Sequence, residues 1–372
     1  MPLHGGRNMG SIKKWFTGLS KKGRYILFGS IAGVLVIACV LILGGIFHKK
    51  DKGPKYDIPE VPDGYVLVFR LVSEYDVYDG QKTPITLCEY DDHGNLLLEK
   101  VKYRNSGYAD FDRITEYTLN ESGRPVRIKT SYASGDVRTE EREYDPDGRQ
   151  MKAEISEAGT TETHRYQYDE RGILILEEHF GENGRLSESI AFESDENGLL
   201  VCMDQKIFSD IELSRETVVR WTRRPTGTLE KFSYLERMYD VYGVSSETEQ
   251  VSLFDSQGNQ IAEYRIQNGN KVDEAEYECT YDEGGRLKQM IGPGGITDYY
   301  EYDKKGRVVS VESWDITRHY EYDSHGNVIK EYTTDAGQDS AEVKNYTEYV
   351  YKPFAVRKDL LTDEERDKLG IK

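Results

Sequence analysis

The side chains in this sequence that could carry out chemistry are few and widely spaced. The four cysteines are Cys39, Cys88, Cys202 and Cys279, and none of them stands in a CxxC pair. The chain contains no HExxH motif, no Cys/His group at metal-ligand spacing, no GxSxG, and no Walker A or GxGxxG loop. We therefore expect no catalytic residue, no metal ligand, no cofactor and no enzyme activity.

Two of the cysteines belong to a repeated strand pattern. Cys88 and Cys279 each stand two residues before a tyrosine, so each shares a strand face with that tyrosine and is predicted to be a core position. Because Cys39 lies in an apolar segment, three cysteines remain, and at least one thiol stays free or pairs between chains. His93 and His325 both precede a turn glycine and are predicted to be exposed.

The abundant acidic side chains allow two further interpretations. An Asp opens most copies of a repeated turn and could bind Ca²⁺, but a calcium loop needs several oxygens over about a dozen residues. Each turn here has one or two carboxylates, so we interpret its Asp as a turn former. A glycosidase-like carboxylate pair depends on separation in space, so a carbohydrate-active enzyme remains an alternative.

The turn that contains this Asp repeats along most of the chain. The segments YEYDKKGRVVSVES from Tyr300 and YEYDSHGNVIKEYT from Tyr320 alternate at period two around Asp-x-x-Gly. Alternation predicts strands and Asp-x-x-Gly predicts a tight turn, so each copy is predicted to be a β-hairpin. Other copies are YDDHGN at Tyr90, YDPDGR at Tyr144, YDERGI at Tyr168, FDSQGN at Phe254 and YDEGGR at Tyr281, and weaker ones are LNESGR at Leu119, FGENGR at Phe180, SDENGL at Ser194 and YDVYGV at Tyr239.

Tyrosine is the dominant aromatic residue of these repeats. The chain has 28 Tyr against 11 Phe and 3 Trp. A single hairpin is marginal in water and must bury its apolar face on its neighbours. A tyrosine ring can pack in such a thin sheet while its hydroxyl reaches a polar partner, so the tyrosines are predicted to be structural.

The Y-D-x-x-G-[RN] unit, repeated about every 20 residues over roughly 65–351, resembles the YD repeat of Rhs and teneurin-type proteins. In that family, long arrays wind into a β-shell that can enclose a toxin carried at the C-terminus. This chain has about eleven turns, fewer than a large shell needs, and only 21 residues follow Tyr351. The resemblance implies a hairpin array that lacks a C-terminal toxin domain. A role related to Rhs-like toxin delivery is kept as an alternative.

The predicted fold is therefore all-β. We expect an elongated array of YD-type hairpins that forms a twisted or curved antiparallel sheet, preceded by one N-terminal transmembrane helix. The predicted segments are a basic cytoplasmic segment (1–24), a transmembrane helix (25–47), a linker (48–63), the YD-repeat β domain (64–357) and a C-terminal tail with a short helix (358–372). A capping box at Thr362 and Glu365 indicates that helix.

Membrane anchoring is predicted from residues 25–47, YILFGSIAGVLVIACVLILGGIF. These 23 residues carry no charge and are long enough to cross a bilayer as a helix. Six Lys or Arg precede them, which favours a cytoplasmic N-terminus and an extracellular repeat domain. Because Lys49 and Lys50 follow the span, the reverse topology stays open. A cleaved signal peptide would have a shorter apolar stretch.

Three smaller features accompany this span. Gly29 and Gly33 form a GxxxG pair that could support a homodimer. Residues 36–39 loosely match a bacterial lipobox, which would make Cys39 a lipidated N-terminus, although apolar residues continue beyond it. Residues 12–19 either form a basic amphipathic helix on an anionic leaflet or act only as a tail that sets topology.

Charge separates the two ends of the chain and limits its partners. The first fifty residues contain eight Lys or Arg and no acidic residue, so the remainder carries 41 basic and 67 acidic side chains. Such an acidic body repels nucleic acid. We expect a membrane-anchored, surface-exposed, non-catalytic binding or scaffolding ectodomain at the bacterial cell envelope. Its partners would be the bilayer, through 25–47, and an unknown protein or cell-envelope glycan.

Overall fold

The computed structural model describes residues 56–104, 110–209, 212–335, 345–362, 365, 366, 369 and 371. In these ranges the chain forms 23 strands, assigned to one antiparallel sheet, and two short 3-10 turns, Pro293–Gly295 and Lys358–Leu360. The prediction of an all-β antiparallel fold is confirmed. Across the same ranges, no helix combines the length and apolarity needed to cross a bilayer. The predicted span 25–47, with Gly29, Gly33 and Cys39, lies outside the described residues.

The strands follow the alternating segments of the sequence. They are β1 (Tyr65–Tyr78), β2 (Gln81–Tyr90), β3 (Leu96–Val101), β4 (Arg113–Leu119), β5 (Pro125–Tyr132), β6 (Val137–Tyr144), β7 (Gln150–Glu157), β8 (Thr160–Tyr168), β9 (Leu174–Phe180), β10 (Leu186–Ser194), β11 (Leu200–Ser209), β12 (Glu212–Arg223), β13 (Leu229–Asp240), β14 (Gly243–Phe254), β15 (Gln260–Gln267), β16 (Asn270–Glu276), β17 (Glu278–Tyr281), β18 (Leu287–Ile291), β19 (Thr297–Tyr302), β20 (Val308–Ser313), β21 (Ile316–Tyr322), β22 (Val328–Asp335) and β23 (Asn345–Arg357).

Each Asp of the repeat organises a five-residue turn. In the first copy, Asp91 Oδ1 accepts the backbone N–H groups of His93 at 2.9 Å and Asn95 at 2.8 Å. The Asp91 N–H donates to the Asn95 carbonyl, and the Gly94 N–H donates to the Asp91 carbonyl. Gly94 has φ +79°, a left-handed conformation that strains other residues. The Asp and Gly of the repeat are therefore both required by backbone geometry.

Because the strands are antiparallel, successive turns lie at opposite ends of the strands. The two rims that these strand ends form are called the edges of the sheet. We call the edge that carries the Asp turns the repeat edge, with turns at 91–95, 120–124, 145–149, 169–173, 195–199, 224–228, 255–259, 282–286 and 323–327. The turn at 303–307 has the same internal hydrogen bonds. The opposite edge carries tight hairpins such as Asp79–Gly80, Ala158–Gly159, Asn268–Gly269 and Trp314–Asp315.

Three sequence assignments change in the structure. The segment FGENGR was predicted to be a weak copy of the repeat turn and has its backbone bonds at 181–185, but it joins β9 to β10 on the opposite edge. The segment YDVYGV was predicted to be a weak copy of the repeat turn, but it closes a tight hairpin between β13 and β14 on the opposite edge. The turn at 224–228 was not recognised, because Arg224 stands where the repeat has Asp. Arg224 nevertheless has the same backbone bonds, and its guanidinium donates to the carbonyls of Phe254 and Asp255 at 2.7 Å.

The repeat tyrosines join each hairpin to the one before it. Tyr90 donates its hydroxyl to the Leu71 carbonyl at 2.8 Å, Tyr144 to Pro125 at 2.7 Å and Tyr168 to Gln150 at 2.9 Å. In each case the acceptor is 18 or 19 residues earlier in the chain. A hydrogen bond of this kind contributes about 1 kcal/mol, and its repetition fixes neighbouring hairpins to one another.

The first and last strands also pair with each other. β1 and β23 run antiparallel from Tyr65 opposite Arg357 to Tyr78 opposite Asn345. Val68, Phe354, Val356 and Leu361 form a buried apolar cluster on this pair. The C-terminal tail is held there as well, because Arg70 forms two hydrogen bonds with the carboxylate of Glu365 at 2.8 and 3.0 Å.

The predicted capping box is present beside this pair. The Thr362 N–H donates to the Glu365 carboxylate at 2.9 Å, and the Glu365 N–H donates to the Thr362 hydroxyl oxygen at 3.2 Å. Residues 365, 366 and 369 are helical. The tail therefore begins a helix where the sequence pattern predicts one.

We expect Gly94→Ala to destabilise the protein more than Gly159→Ala. Both glycines have left-handed φ, +79° and +84°, which costs an L residue about 1–2 kcal/mol. A Cβ on Gly94 would also lie 2.7 Å from Phe354 Cβ, whereas a Cβ on Gly159 meets nothing within 4 Å. Such overpacking adds about 1–3 kcal/mol. Chemical denaturation of the full-length variants measures both losses, and equal losses would contradict the packing of this turn against β23.

Candidate functional site

A cluster of two histidines and three glutamates lies on one face of β8, β9 and β10. We call Glu162, His164, Glu177, His179 and Glu188 the histidine cluster. Cross-strand pairing assembles it, because His164 stands opposite His179, and His179 stands opposite Glu188. The histidine side chains are only 13% and 11% exposed. The cluster is therefore nearly buried within a sheet whose remaining residues are largely half-exposed.

Two register shifts bring these side chains onto one face. β8 and β9 shift register between Gln167 and Tyr168, and β9 and β10 shift between Leu186 and Glu188. A one-residue shift moves every later side chain to the other face relative to its partner strand. Bulges of this type re-aim side chains and occur often next to functional sites.

His179 is bonded at both ring nitrogens. Its Nε2 lies 2.7 Å from Glu177 Oε1 and its Nδ1 lies 2.8 Å from Glu188 Oε2. Burial alone would lower the pKa of His179, but the hydrogen bonds to Glu177 and Glu188 outweigh burial and raise that pKa to about 9. His179 is accordingly an imidazolium at neutral pH that donates to two carboxylates. Gln205 donates to the other oxygen of Glu188 and fixes its orientation.

His164 stacks on His179 and has weaker partners. The two rings are 3.6 Å apart between centroids and inclined by 12°. His164 Nδ1 lies 3.6 Å from Glu177 Oε1, and Nε2 lies 3.8 Å from Glu162 Oε2. Among the described residues, the buried Nε2 has no hydrogen-bond partner.

Glu177 is the carboxylate that both rings share. Burial would raise its pKa, but the neighbouring His164 imidazole and the hydrogen bond to His179 lower the pKa of Glu177 to about 2. Two imidazoles and one carboxylate are donors that can hold a metal ion, and the three ligand atoms lie within 4.8 Å of one another. No sequence motif reveals this group, because its histidines are on separate strands and match no ligand spacing. The sequence feature that marks this site is a pair of histidines at facing positions on either side of one repeat turn.

A second feature is an aromatic groove on the edge opposite the repeat edge. It has a volume of about 310 Å³. Its lining is Gly294, Gly295, Ile296, Thr297, Tyr299, Glu312 and Trp314. Tyr299 and Trp314 are 47% and 80% exposed. Large exposed aromatic side chains beside polar groups are typical of recognition surfaces.

Trp314 occupies a backbone position that does not suit it. It has φ +51° at the first turn position of the β20–β21 hairpin. The same position in other hairpins on this edge is filled by Asp79, Ala158 and Asn268, also at positive φ. Asn and Asp tolerate that conformation, whereas a bulky residue there is a genuine outlier. The protein therefore holds an exposed indole at a strained site.

The other residues singled out in the sequence have structural positions. His93 and His325 are exposed in repeat turns, although the His325 ring stacks on Phe69 at 4.2 Å between centroids. Cys88, Cys202 and Cys279 are half-buried free thiols, and burial raises the pKa of each. The turn Asp side chains accept backbone N–H groups in the described repeat turns, as at Asp91 and in the turn that Asp145 opens.

Comparison with known proteins gives no assignment to a family. No family model matches the chain. No curated protein matches it either. Among solved structures it is similar to the Tc holotoxin pore of Photorhabdus luminescens, at 16% identity and a TM-score of 0.25 over 72% of this chain and 19% of that chain. It is also similar to a porin-like protein from Bacteroides uniformis, at 10% identity and a TM-score of 0.31 over 75% of this chain and 96% of that one. Likeness at this level assigns no function.

We expect His179 to be doubly protonated at neutral pH in chelator-treated protein and to titrate near pH 9. Glu188→Gln should lower this pKa, because it removes one of the two carboxylates. Ring ¹H–¹⁵N NMR correlation measures both. Because the folded pKa lies above the usual value of about 6.5, the stabilisation is complete below that pH and is lost as the pH rises through 9.

Glu178→Gln is the matched control for this measurement. Glu178 is adjacent to His179 in the chain but pairs with Arg165, on the other face of the sheet. It should leave the His179 titration unchanged. Titration of His179 near 6.5, or equal effects of the two Glu→Gln changes, would contradict the bonding described here.

Proposed function

We propose that this chain is a membrane-anchored, non-catalytic binding protein of the bacterial cell envelope. Residues 25–47 would cross the bilayer with the N-terminus in the cytoplasm, and the sheet of 64–357 would be displayed outside. The proposal is supported by the uncharged 23-residue segment, its basic N-terminal flank and the acidic composition of the rest of the chain. Close packing at Gly29 and Gly33 would allow a homodimer.

The ligand we propose is a cell-envelope glycan bound in the aromatic groove. The observation that carries this proposal is Trp314, a residue that is 80% exposed and held at φ +51°. Strained residues of this kind persist where function requires them, at a cost of about 1–3 kcal/mol each. A hairpin that served only to connect β20 and β21 would favour Asn or Gly at this position.

The groove has the chemistry that sugar recognition needs. Tyr299 and Trp314 offer flat apolar rings, which pack against the C–H faces of pyranose rings. Glu312 is an exposed carboxylate that can accept from sugar hydroxyls. The Thr297 hydroxyl donates to the Gly295 carbonyl at 3.2 Å and keeps acceptor capacity toward the groove. Apolar rings joined to a few fixed polar groups are typical of small-ligand sites.

Trp314→Asn should separate binding from stability. Asn suits the left-handed turn position, so we expect the thermal midpoint of the variant to rise or stay unchanged. Loss of the indole should reduce binding to insoluble cell-wall glycan by about tenfold or more, since truncating a tryptophan at the centre of a binding site typically costs about 2 kcal/mol or more. Cosedimentation of full-length protein in detergent with purified wall material measures the binding.

Tyr242→Asn is the control for this experiment. Tyr242 is 95% exposed at the β13–β14 hairpin on the same edge of the sheet, outside the groove. It should leave binding intact. Unchanged binding by Trp314→Asn, or an equal loss in both variants, would refute the groove as the glycan site. Retention of a protein instead of glycan would favour a protein ligand.

Membrane anchoring and topology are tested by cell fractionation. Full-length protein should sediment with membranes, and a variant without 25–47 should remain in the supernatant, because removal of the span eliminates the only uncharged segment of that length. Protease added to wall-stripped cells should remove the repeat domain and spare about the first two dozen residues. Soluble full-length protein would refute the anchor, and protection of the repeat domain would reverse the topology.

A further inference from the structure

We propose that His164, Glu177 and His179 bind one divalent transition-metal ion of the zinc type. This site is separate from the proposed glycan groove and does not depend on it. The three side chains come from two paired strands, and cross-strand pairing sets their spacing. A metal bound here would join β8 to β9 in the middle of the sheet.

The donor atoms already converge on one carboxylate oxygen. Glu177 Oε1 lies 2.7 Å from His179 Nε2 and 3.6 Å from His164 Nδ1. Zinc binds imidazole nitrogen at about 2.0–2.1 Å and carboxylate oxygen at about 2.0–2.2 Å, which requires donor atoms about 3 to 3.5 Å apart. Zn²⁺ would replace the Nε2 proton that His179 donates to Glu177, so binding would release a proton. The two stacked rings would also tilt apart, so that both nitrogen lone pairs point at the ion. Three protein donors leave a fourth position for water or another ligand.

Each imidazole has one nitrogen that faces Glu177. Its second nitrogen faces another carboxylate. Glu188 Oε2 lies 2.8 Å from His179 Nδ1, and Gln205 holds Glu188 in turn. Glu162 Oε2 lies 3.8 Å from His164 Nε2. Metal-bound histidines almost always donate their second N–H to such a partner, which fixes the tautomer and strengthens the ligand. The histidine cluster has this arrangement at both rings.

The buried Nε2 of His164 is a second and independent indication. Within the described part of the chain it lacks a hydrogen-bond partner. A buried unpaired polar atom is costly and uncommon in proteins. If His164 binds a metal through Nδ1, its Nε2 must carry the proton. That N–H would face the carboxylate of Glu162, whose Oε2 lies 3.8 Å away.

Charge and donor type decide which cation the site prefers. Glu162, Glu177 and Glu188 surround two imidazoles, so the cluster retains a negative charge when the histidines are neutral. Arg142, which lies in line with His164 across β7, is paired with Glu140 at 2.6 Å. Imidazole favours Zn²⁺, Cu²⁺, Ni²⁺ and Co²⁺, whereas Ca²⁺ and Mg²⁺ prefer oxygen ligands only.

The test is calorimetric titration of ZnCl₂ into full-length protein purified in detergent and stripped with a chelator. We expect one Zn²⁺ per chain, and a rise in the thermal midpoint because the metal binds only the folded state. His164→Gln and His179→Gln should each abolish both effects. Glu188→Gln should weaken binding about 10- to 100-fold, because it removes the acceptor that orients His179.

Two variants serve as controls for this zinc titration. Glu178→Gln, on the opposite face, and His319→Gln, whose imidazole bonds Thr334 at 3.1 Å elsewhere in the sheet, should bind Zn²⁺ like wild type. Absence of 1:1 binding by wild type would overturn the proposal. It would also be overturned if folded His164→Gln or His179→Gln kept binding, or if the controls lost it equally.

X-ray absorption of the wild-type zinc complex tests the site without relying on any variant. Two imidazole ligands with oxygen completing the coordination are expected. Sulfur ligation would assign the ion to the free thiols of Cys88, Cys202 or Cys279 and overturn the proposal, as would a shell of oxygen alone.

Discussion

The turn in which one Asp carboxylate binds two backbone N–H groups is the interaction on which the rest of this sheet depends. In the turn that begins at Asp169, Oδ1 accepts from Arg171 at 2.9 Å and from Ile173 at 2.8 Å, while Gly172 has φ +80°. These bonds set where the two strands of a hairpin begin. The bulge beside the turn then sets which face each side chain takes. Because Tyr168 bonds the main chain of the preceding hairpin, the register of one hairpin is carried to the next.

The histidine cluster shows how much depends on that bulge. His164 faces His179 because one extra residue, Ile175, stands in β9 where the register shifts. Without the shift, His164 would face Glu178. The shift between β9 and β10 similarly places Glu188 opposite His179. Register shifts recur beside the repeat turns, and in this hairpin one of them brings chemically capable side chains together.

The two edges of the sheet are under different constraints. Turns of the repeat edge need Asp and Gly for hydrogen bonding and backbone conformation, and some are packed too closely to vary, as Gly94 is against Phe354. Several hairpins of the opposite edge, such as Asp79–Gly80 and Trp314–Asp315, are short and need only two residues that accept their backbone angles. Their side chains point into solvent, which leaves room for Trp314 and the groove beside it. A repeat protein can in this way hold its sheet constant and vary one edge for binding.

The sequence by itself determined the all-β class, the hairpin unit and most repeat turns, because alternation and Asp-x-x-Gly chemistry act within a few residues. The capping box at Thr362 was also predicted, for the same local reason. Tertiary structure alone decided three features: the pairing of β1 with β23, the turn at Arg224, and the meeting of His164 with His179. Each joins residues whose contact depends on strand register or on distant pairing. A one-residue bulge changes that register while barely altering the local sequence pattern, so the chemistry of the site is set by the assembled sheet.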